Sequence, residues 1–116
     1  MVKDDLTRIL HIYDACTEII HFTKNITKTQ FRNNRMLQLA IVHLFEIIGE
    51  AANSISVEIP QKYPSIPWKS LIGMRNRLIH GYFDIDLNIV WQTIQSDIPF
   101  LLKEIKSLRD NEYRCK

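Results

Sequence analysis

Apolar positions recur along this chain at intervals of three and four, the spacing that lines side chains along one face of an α-helix. Between about Asp4 and Thr23 the stripe is Leu6, Ile9, Leu10, Tyr13, Cys16 and Ile20, which predicts a first helix. Asp4 and Asp5 suit the positive N-terminal end of its dipole. From about Thr29 to Ile55, the residues Met36, Leu37, Ala40, Ile41, Leu44, Phe45, Ile48, Ala51, Ala52 and Ile55 make a wide apolar face and predict a central helix. Gly49 and Ala52 on that face permit close helix approach. A third helix opens at Pro67, a residue suited to the first turn, and runs to about Ile79, where Gly81 is a natural stop. The fourth spans about Asp86 to Arg109 on Val90, Ile94, Ile98, Leu101, Leu102, Ile105 and Leu108, with a kink expected at Pro99. Ser56 to Ser65 is a proline-bounded connector with room for one short helical turn. The expected fold is all-α: an antiparallel four-helix bundle, one domain over residues 1–116, with the connector between helices 2 and 3 and a flexible tail from about residue 110.

Composition narrows the class. With 116 residues, 46% of them hydrophobic, the chain can build one core. Three glycines and four prolines are too few for an all-β domain, which needs a turn roughly every 8–12 residues. The two cysteines, Cys16 and Cys115, lie near opposite ends and match no disulfide scaffold or zinc spacing. Cys16 reads as a small core residue. No apolar run approaches the roughly 20 residues of a membrane span, and the charged start Met1-Val2-Lys3-Asp4-Asp5 shows no signal peptide. The expectation is a cytoplasmic protein with no membrane association, no metal and no cofactor.

The formal net charge of +2 hides a distribution. Residues 19–83 hold eight basic side chains against Glu46, Glu50 and Glu58, a local net of +5. Both flanks are acidic on balance. Such a centre can face a polyanion, although eight cations spread over helix surfaces are also explained by solvation alone.

A few polar residues fall on apolar stripes. Leu71, Arg75 and Leu78 share one face of the third helix, with Tyr82 in register beyond its end. A guanidinium among apolar neighbours requires an anion, a cleft or a partner subunit. His80 follows where helix gives way to turn, a place where a histidine can also serve simply as a C-terminal cation. Along the central helix His43, Glu46, Glu50 and Asn53 form a second polar stripe, best read as a solvated edge; its spacing does not match HExxH.

Residues 73–83 read Gly-Met-Arg-Asn-Arg-Leu-Ile-His-Gly-Tyr-Phe, placing Arg75, His80 and Tyr82 in the pattern R-x4-H-x-Y. This resembles the signature of the HEPN superfamily, in its HepT-type toxin branch. Ile48-Gly49-Glu50-Ala51-Ala52, Pro67-Trp68, Asp84-Ile85-Asp86 and Val90-Trp91 are similar to that branch in the same order, so the resemblance covers roughly residues 36–100. It implies a helical homodimer that pools two RxxxxH motifs in one cleft and cleaves RNA, tRNA among the substrate classes, without a metal. It further implies the toxin of a type VII-like toxin–antitoxin pair. The antitoxin would be a cognate nucleotidyltransferase that transfers AMP to the motif tyrosine. On this chain Arg75 and His80 would be catalytic, Asn76 supporting and Tyr82 the AMP acceptor. Lys24, Lys28, Arg32 and Arg35 are the candidates for holding RNA.

The residue types suit that chemistry. RNA supplies its own nucleophile, the 2′-OH. Histidine moves protons near neutral pH, and arginine offers a bidentate fork to phosphate oxygens as charge grows on them. Two other readings remain open at this point. One is a non-catalytic HEPN-like module that binds a nucleotide or a nucleotidyltransferase; the other is a plain helical interaction domain in which Arg75 and His80 are structural.

Overall fold

The structure, a computed structural model, describes the backbone of residues 3–78 and 85–113 and the side chains of residues 4–74 and 85–113. Among these residues the chain is all-α, as expected. The helices are α1 (Lys3–Thr23), α2 (Lys28–Arg32), α3 (Arg35–Ser54), α4 (Glu58–Lys62), α5 (Trp68–Leu78), α6 (Leu87–Gln92) and α7 (Ile98–Glu112). A π-helical stretch, Thr93–Asp97, joins the last two.

Two of the four expected long helices are divided, each for a local reason. The second breaks at Asn33–Asn34. Thr27 and Gln30 form a capping box that starts α2 early, with bonds of 3.1 Å to the Gln30 N–H and 2.8 Å from the Thr27 N–H. The Asn34 side chain then accepts from the Leu37 N–H at 3.0 Å and starts α3 afresh. Buried Gln38 closes the gap by donating to the carbonyls of Phe31 and Arg32, both at 3.0 Å. The fourth helix is divided because Pro99 has no N–H to donate and its ring crowds the preceding turn. The helix widens just before it, and the Ile98 N–H reaches back five residues to the Thr93 carbonyl.

Antiparallel packing follows from the pairs that meet. α1 lies between α3 and α7, and α3 lies between α1 and α5. Asp4 and Arg8 share a groove with Ser54 and Glu50, so α1 and α3 run oppositely. Arg109 stacks over the Tyr13 ring at 4.5 Å, and Pro99 lies beside Thr23, so α7 also opposes α1. Ser65 bonds Glu104 at 2.9 Å while Met74 lies near Asp97, so α5 opposes α7. α5 therefore also opposes α3.

One core runs through these helices: Ile9, Ile12, Ile19, Phe45, Ile48, Met74, Ile98 and Ile105 are almost completely buried. The stripe on α1 is shifted from the expected one, since Ile12 and Ile19 are fully buried while Leu6, Leu10, Tyr13 and Ile20 are half-buried. Cys16 is a core residue as expected, and burial pushes its thiol up to about 12, leaving it unreactive at neutral pH. Met36, expected in the core, is 81% exposed; in this turn of α3 it is Leu37 and Gln38 that face inward. By length and composition α3 could cross a membrane, but its apolar residues are the centre of this core.

The expected flexible tail from residue 110 also differs. α7 continues through Glu112, and only residues 114–116, with Cys115, lie outside the described residues. The reason is a polar latch: Lys62 pairs with Glu112 at 2.7 Å, and Tyr63 bonds both Glu112 and Asn111. At the same end buried Asp5 accepts from the backbone N–H and the hydroxyl of Ser56.

The Lys62 ammonium, followed by the Tyr63 hydroxyl, holds the Glu112 carboxyl below its ordinary value. A depressed carboxylate contributes stability above its unfolded pKa of about 4.3, and that stability is lost as pH falls through the folded value. Wild type should therefore lose stability more steeply below about pH 4.5 than Glu112→Gln, in urea midpoints followed from pH 7 to 3. Equal slopes would mean the latch is silent.

Candidate active site

The helix that carries Arg75 is fixed at its start and along its flank. Pro67 accepts the Leu71 N–H at 3.0 Å, and the Trp68 indole N–H donates to the Tyr63 carbonyl at 3.0 Å. Leu71 and Met74 are buried against the core. At Gly49 the two helices meet backbone to backbone: a Cβ there would lie 2.9 Å from the Leu71 carbonyl oxygen and 3.6 Å from that of Ile72. The close approach expected at Gly49 is therefore real, and no side chain fits without moving α5.

Arg75 and Asn76 lie in the second half of α5, one helical turn beyond Leu71 and Ile72. Since α5 opposes α3, this turn sits past Gly49, toward Phe45 and the N-terminal half of α3. The side chains of Arg75 and Asn76 lie outside the described residues, as do His80 and Tyr82 entirely.

The chain resumes at Ile85. Asp86 caps α6 by accepting from the Ile89 N–H at 3.2 Å. α6 is tied to its surroundings: Trp91 packs on Phe31 with ring centroids 5.4 Å apart, and Asn88 accepts from Arg32 at 3.0 Å. α6 also contacts α5. Residues 79–84 are thus bounded by two helices that the core holds in place.

The sequence-predicted basic residues Lys24, Lys28, Arg32 and Arg35 are all exposed. Lys24, Lys28 and Arg32 belong to α2 and the turn before it, where Asn25 takes a left-handed φ of 63°. Arg35 opens α3 instead. The stripe His43, Glu46, Glu50 and Asn53 is a solvated edge, with Glu46 half-buried. Glu46, Glu50 and Asn53 line a groove of about 240 Å³ beside Ile72. Among the described residues no three His, Cys, Asp or Glu side chains come together as a metal-holding group.

The profile of the family described as Ribonuclease HepT-like matches residues 12–108. The chain belongs to the HepT-like ribonuclease family. A protein of Methanocaldococcus jannaschii named as a candidate RNase is 39% identical over 107 residues, covering 91% of this chain and 98% of that one. Another candidate RNase, from Caldanaerobacter subterraneus subsp. tengcongensis, is 38% identical over 102 residues, covering 88% and 91%. A candidate ribonuclease HepT from Thermococcus cleftensis is 37% identical over 98 residues, covering 84% and 89%. No solved structure gives a significant match.

For a HepT-like ribonuclease two structural contacts acquire a meaning that periodicity alone did not reveal. The Arg32–Asn88 bond fastens the basic corner at α2 to the helix that follows the motif. Nothing in the local pattern points to Asn88, whose partner Arg32 is 56 residues away. The other is the groove beside Ile72, which Gly49 lines at the point where α5 comes closest to it.

Proposed function

We propose that this HepT-like ribonuclease is a metal-independent endoribonuclease whose reacting groups are Arg75 and His80. The observation that carries the reading is the family match over residues 12–108 together with the intact R-x4-H-x-Y spacing on and just beyond α5. In this scheme the RNA 2′-OH attacks the adjacent phosphorus and the bond to the 5′-oxygen breaks. Histidine moves the proton that one oxygen loses or the other gains. The Arg75 guanidinium holds the charge that grows on the phosphate oxygens, and Asn76 supports it. One histidine and one arginine per chain are sparse for two proton transfers and a pentavalent phosphorane. Two chains contributing to one cleft meet that need, and they would also explain a guanidinium on an apolar stripe. Lys24, Lys28 and Arg32 form a basic corner beside α6 that suits RNA phosphates. The cell compartment that fits an RNA substrate and a free, buried Cys16 is the cytoplasm.

The test is cleavage of labelled total tRNA by purified protein, with and without EDTA. Cleavage that is unchanged by chelation supports the reading; cleavage that requires added divalent metal, or none at all, defeats it and favours a non-catalytic module.

We further propose that the protein is the toxin of a two-component pair and is silenced when a nucleotidyltransferase transfers AMP to the Tyr82 hydroxyl. The added phosphate would sit two residues from His80 and offer Arg75 a competing anion. Tyr82→Phe should then keep its toxicity in cells while escaping neutralisation by the co-expressed enzyme. Full rescue of growth with Tyr82→Phe would place control elsewhere.

A further inference from the structure

Between α5 and α7 runs a second groove, of about 360 Å³. Its floor is apolar: Leu71 and Met74 of α5 are almost completely buried. Its rim carries Ser70 on one side and Ser96, Asp97 and Phe100 on the other, all four exposed. The volume falls at the small end of the range for ligand pockets, about 300–1,000 Å³. Because α5 and α7 are antiparallel, the Asp97 end of the groove lies at Met74, and Arg75 is the next residue of α5. The groove therefore ends at the turn that carries the motif arginine.

Three features of the groove say what fills it. First, Phe100 is 47% exposed. An aromatic face left open at the lip of an apolar groove is a platform on which a flat ring stacks. Second, the polar groups on the rim are uncommitted. Asp97 stands where a carboxylate would ordinarily cap α7, yet its side chain makes no cap bond, since the π-helical turn runs straight into α7. Ser54 and Thr93 turn their hydroxyls back onto helix carbonyls, whereas Ser70, Ser96 and Asp97 make no side-chain hydrogen bond or ion pair among the described residues. Third, Asp97 is the one charged group among the described lining residues, and Lys103, exposed one turn beyond Phe100, pairs with no acid among them. An occupant with a flat apolar face, N–H donors along one edge and a phosphate attached is an unpaired nucleobase.

We propose that this groove is a base subsite and that it takes an unpaired guanine of the RNA, next to the scissile phosphate. The base stacks on Phe100. Its N1–H and N2–H lie side by side and donate to the two oxygens of Asp97, which can only accept. The hydroxyls of Ser70 and Ser96 supply donors for its O6 or N7. Adenine, cytosine and uracil each set at least one lone pair against the carboxylate where guanine sets a second N–H. This inference rests on the ribonuclease reading and adds to it the base that selects the point of cleavage.

The test separates binding from chemistry. Wild-type protein is titrated into labelled 2′-O-methyl oligouridylates, which lack the nucleophile, carrying one central G, A, C or U, and fluorescence anisotropy reads the affinity. The G oligomer should bind about tenfold more tightly than the other three. Phe100→Ala should weaken its binding by roughly tenfold to a hundredfold, the usual loss of one stacked base. Asp97→Asn replaces two acceptors with one acceptor and one donor, so its preference should move from guanine to adenine and cytosine. Both positions are exposed, so circular dichroism should show wild-type folding. Equal binding of all four oligomers overturns the subsite, as does a guanine preference that survives Asp97→Asn. Binding indifferent to Phe100→Ala also overturns it and leaves the groove to a protein segment. Unmodified RNA cleaved without regard to guanine would sink the subsite alone. Guanine-selective binding without cleavage of unmodified RNA would sink the ribonuclease reading and leave the subsite standing.

Discussion

His80→Ala should lower the rate of RNA cleavage by about 10²–10⁴-fold, the usual contribution of a positioned proton-transfer group. Arg75→Ala should lose roughly 10²–10³-fold, because the growing charge on the phosphate then has no fixed cation to meet it. Arg75→Lys separates charge from shape: an ammonium keeps the charge and loses the planar fork, so it should recover only part of the rate. The measurement is single-turnover cleavage of end-labelled tRNA at saturating enzyme, which isolates the chemical step from binding. Thermal melts within a few degrees of wild type would show that the fold survives each change. A His80→Ala protein that cleaves at the wild-type rate would remove His80 from the mechanism.

Gly49→Val should destabilise the fold and shift the helix that carries the motif. Its Cβ would lie 2.9 Å from the Leu71 carbonyl oxygen, a backbone atom that can yield only if α5 moves. Two opposing effects set the size. Replacing a mid-helix glycine gains up to about 1 kcal/mol of helix propensity, less for a β-branched residue, whereas overfilling a packed interface costs about 1–3 kcal/mol. The second wins for valine, with an expected loss of about 2 kcal/mol and a melting temperature lower by several degrees. Gly73→Ala is the control. A Cβ at Gly73 meets nothing within 4 Å, so only the propensity gain of about 0.5–1 kcal/mol remains. Cleavage should fall further in Gly49→Val than its stability loss explains, since the displaced helix is the one bearing Arg75. Wild-type melting and wild-type cleavage together would show that this close approach does not place the motif.

Much of the fold was legible because helical periodicity is a local signal. The stripe Val90, Ile94, Ile98, Leu101, Ile105 and Leu108 is buried as read from its spacing. What periodicity could not supply was where a helix restarts in mid-pattern. Asn34 and Thr27 are ordinary polar residues until their side chains are seen on backbone N–H groups, and Pro99 was legible as a disturbance but not as a π-turn. Met36 failed for a different reason: it fits the apolar period, yet it is 81% exposed while Leu37 and Gln38 beside it turn inward, Gln38 onto α2. For the site, the close helix approach at Gly49 was legible from its place on the α3 face, whereas the arrangement of Arg75, Asn76, His80 and Tyr82 side chains lies outside the described residues. The connection between Arg32 and Asn88 was not, because pairing across 56 residues leaves no trace in local pattern.

The polar latch at Lys62, Tyr63 and Glu112, together with the Asp5–Ser56 bonds, gathers residues 5 and 113 at one end of a body 46 Å long. The motif helix α5 points toward the other end. An affinity tag, fluorophore or second domain attached beyond either residue would start from the end at which α5 begins, with Arg75 two helical turns further along that helix. Fusions at both ends of the chain should therefore load the latch end of the bundle and leave the second half of α5 uncovered.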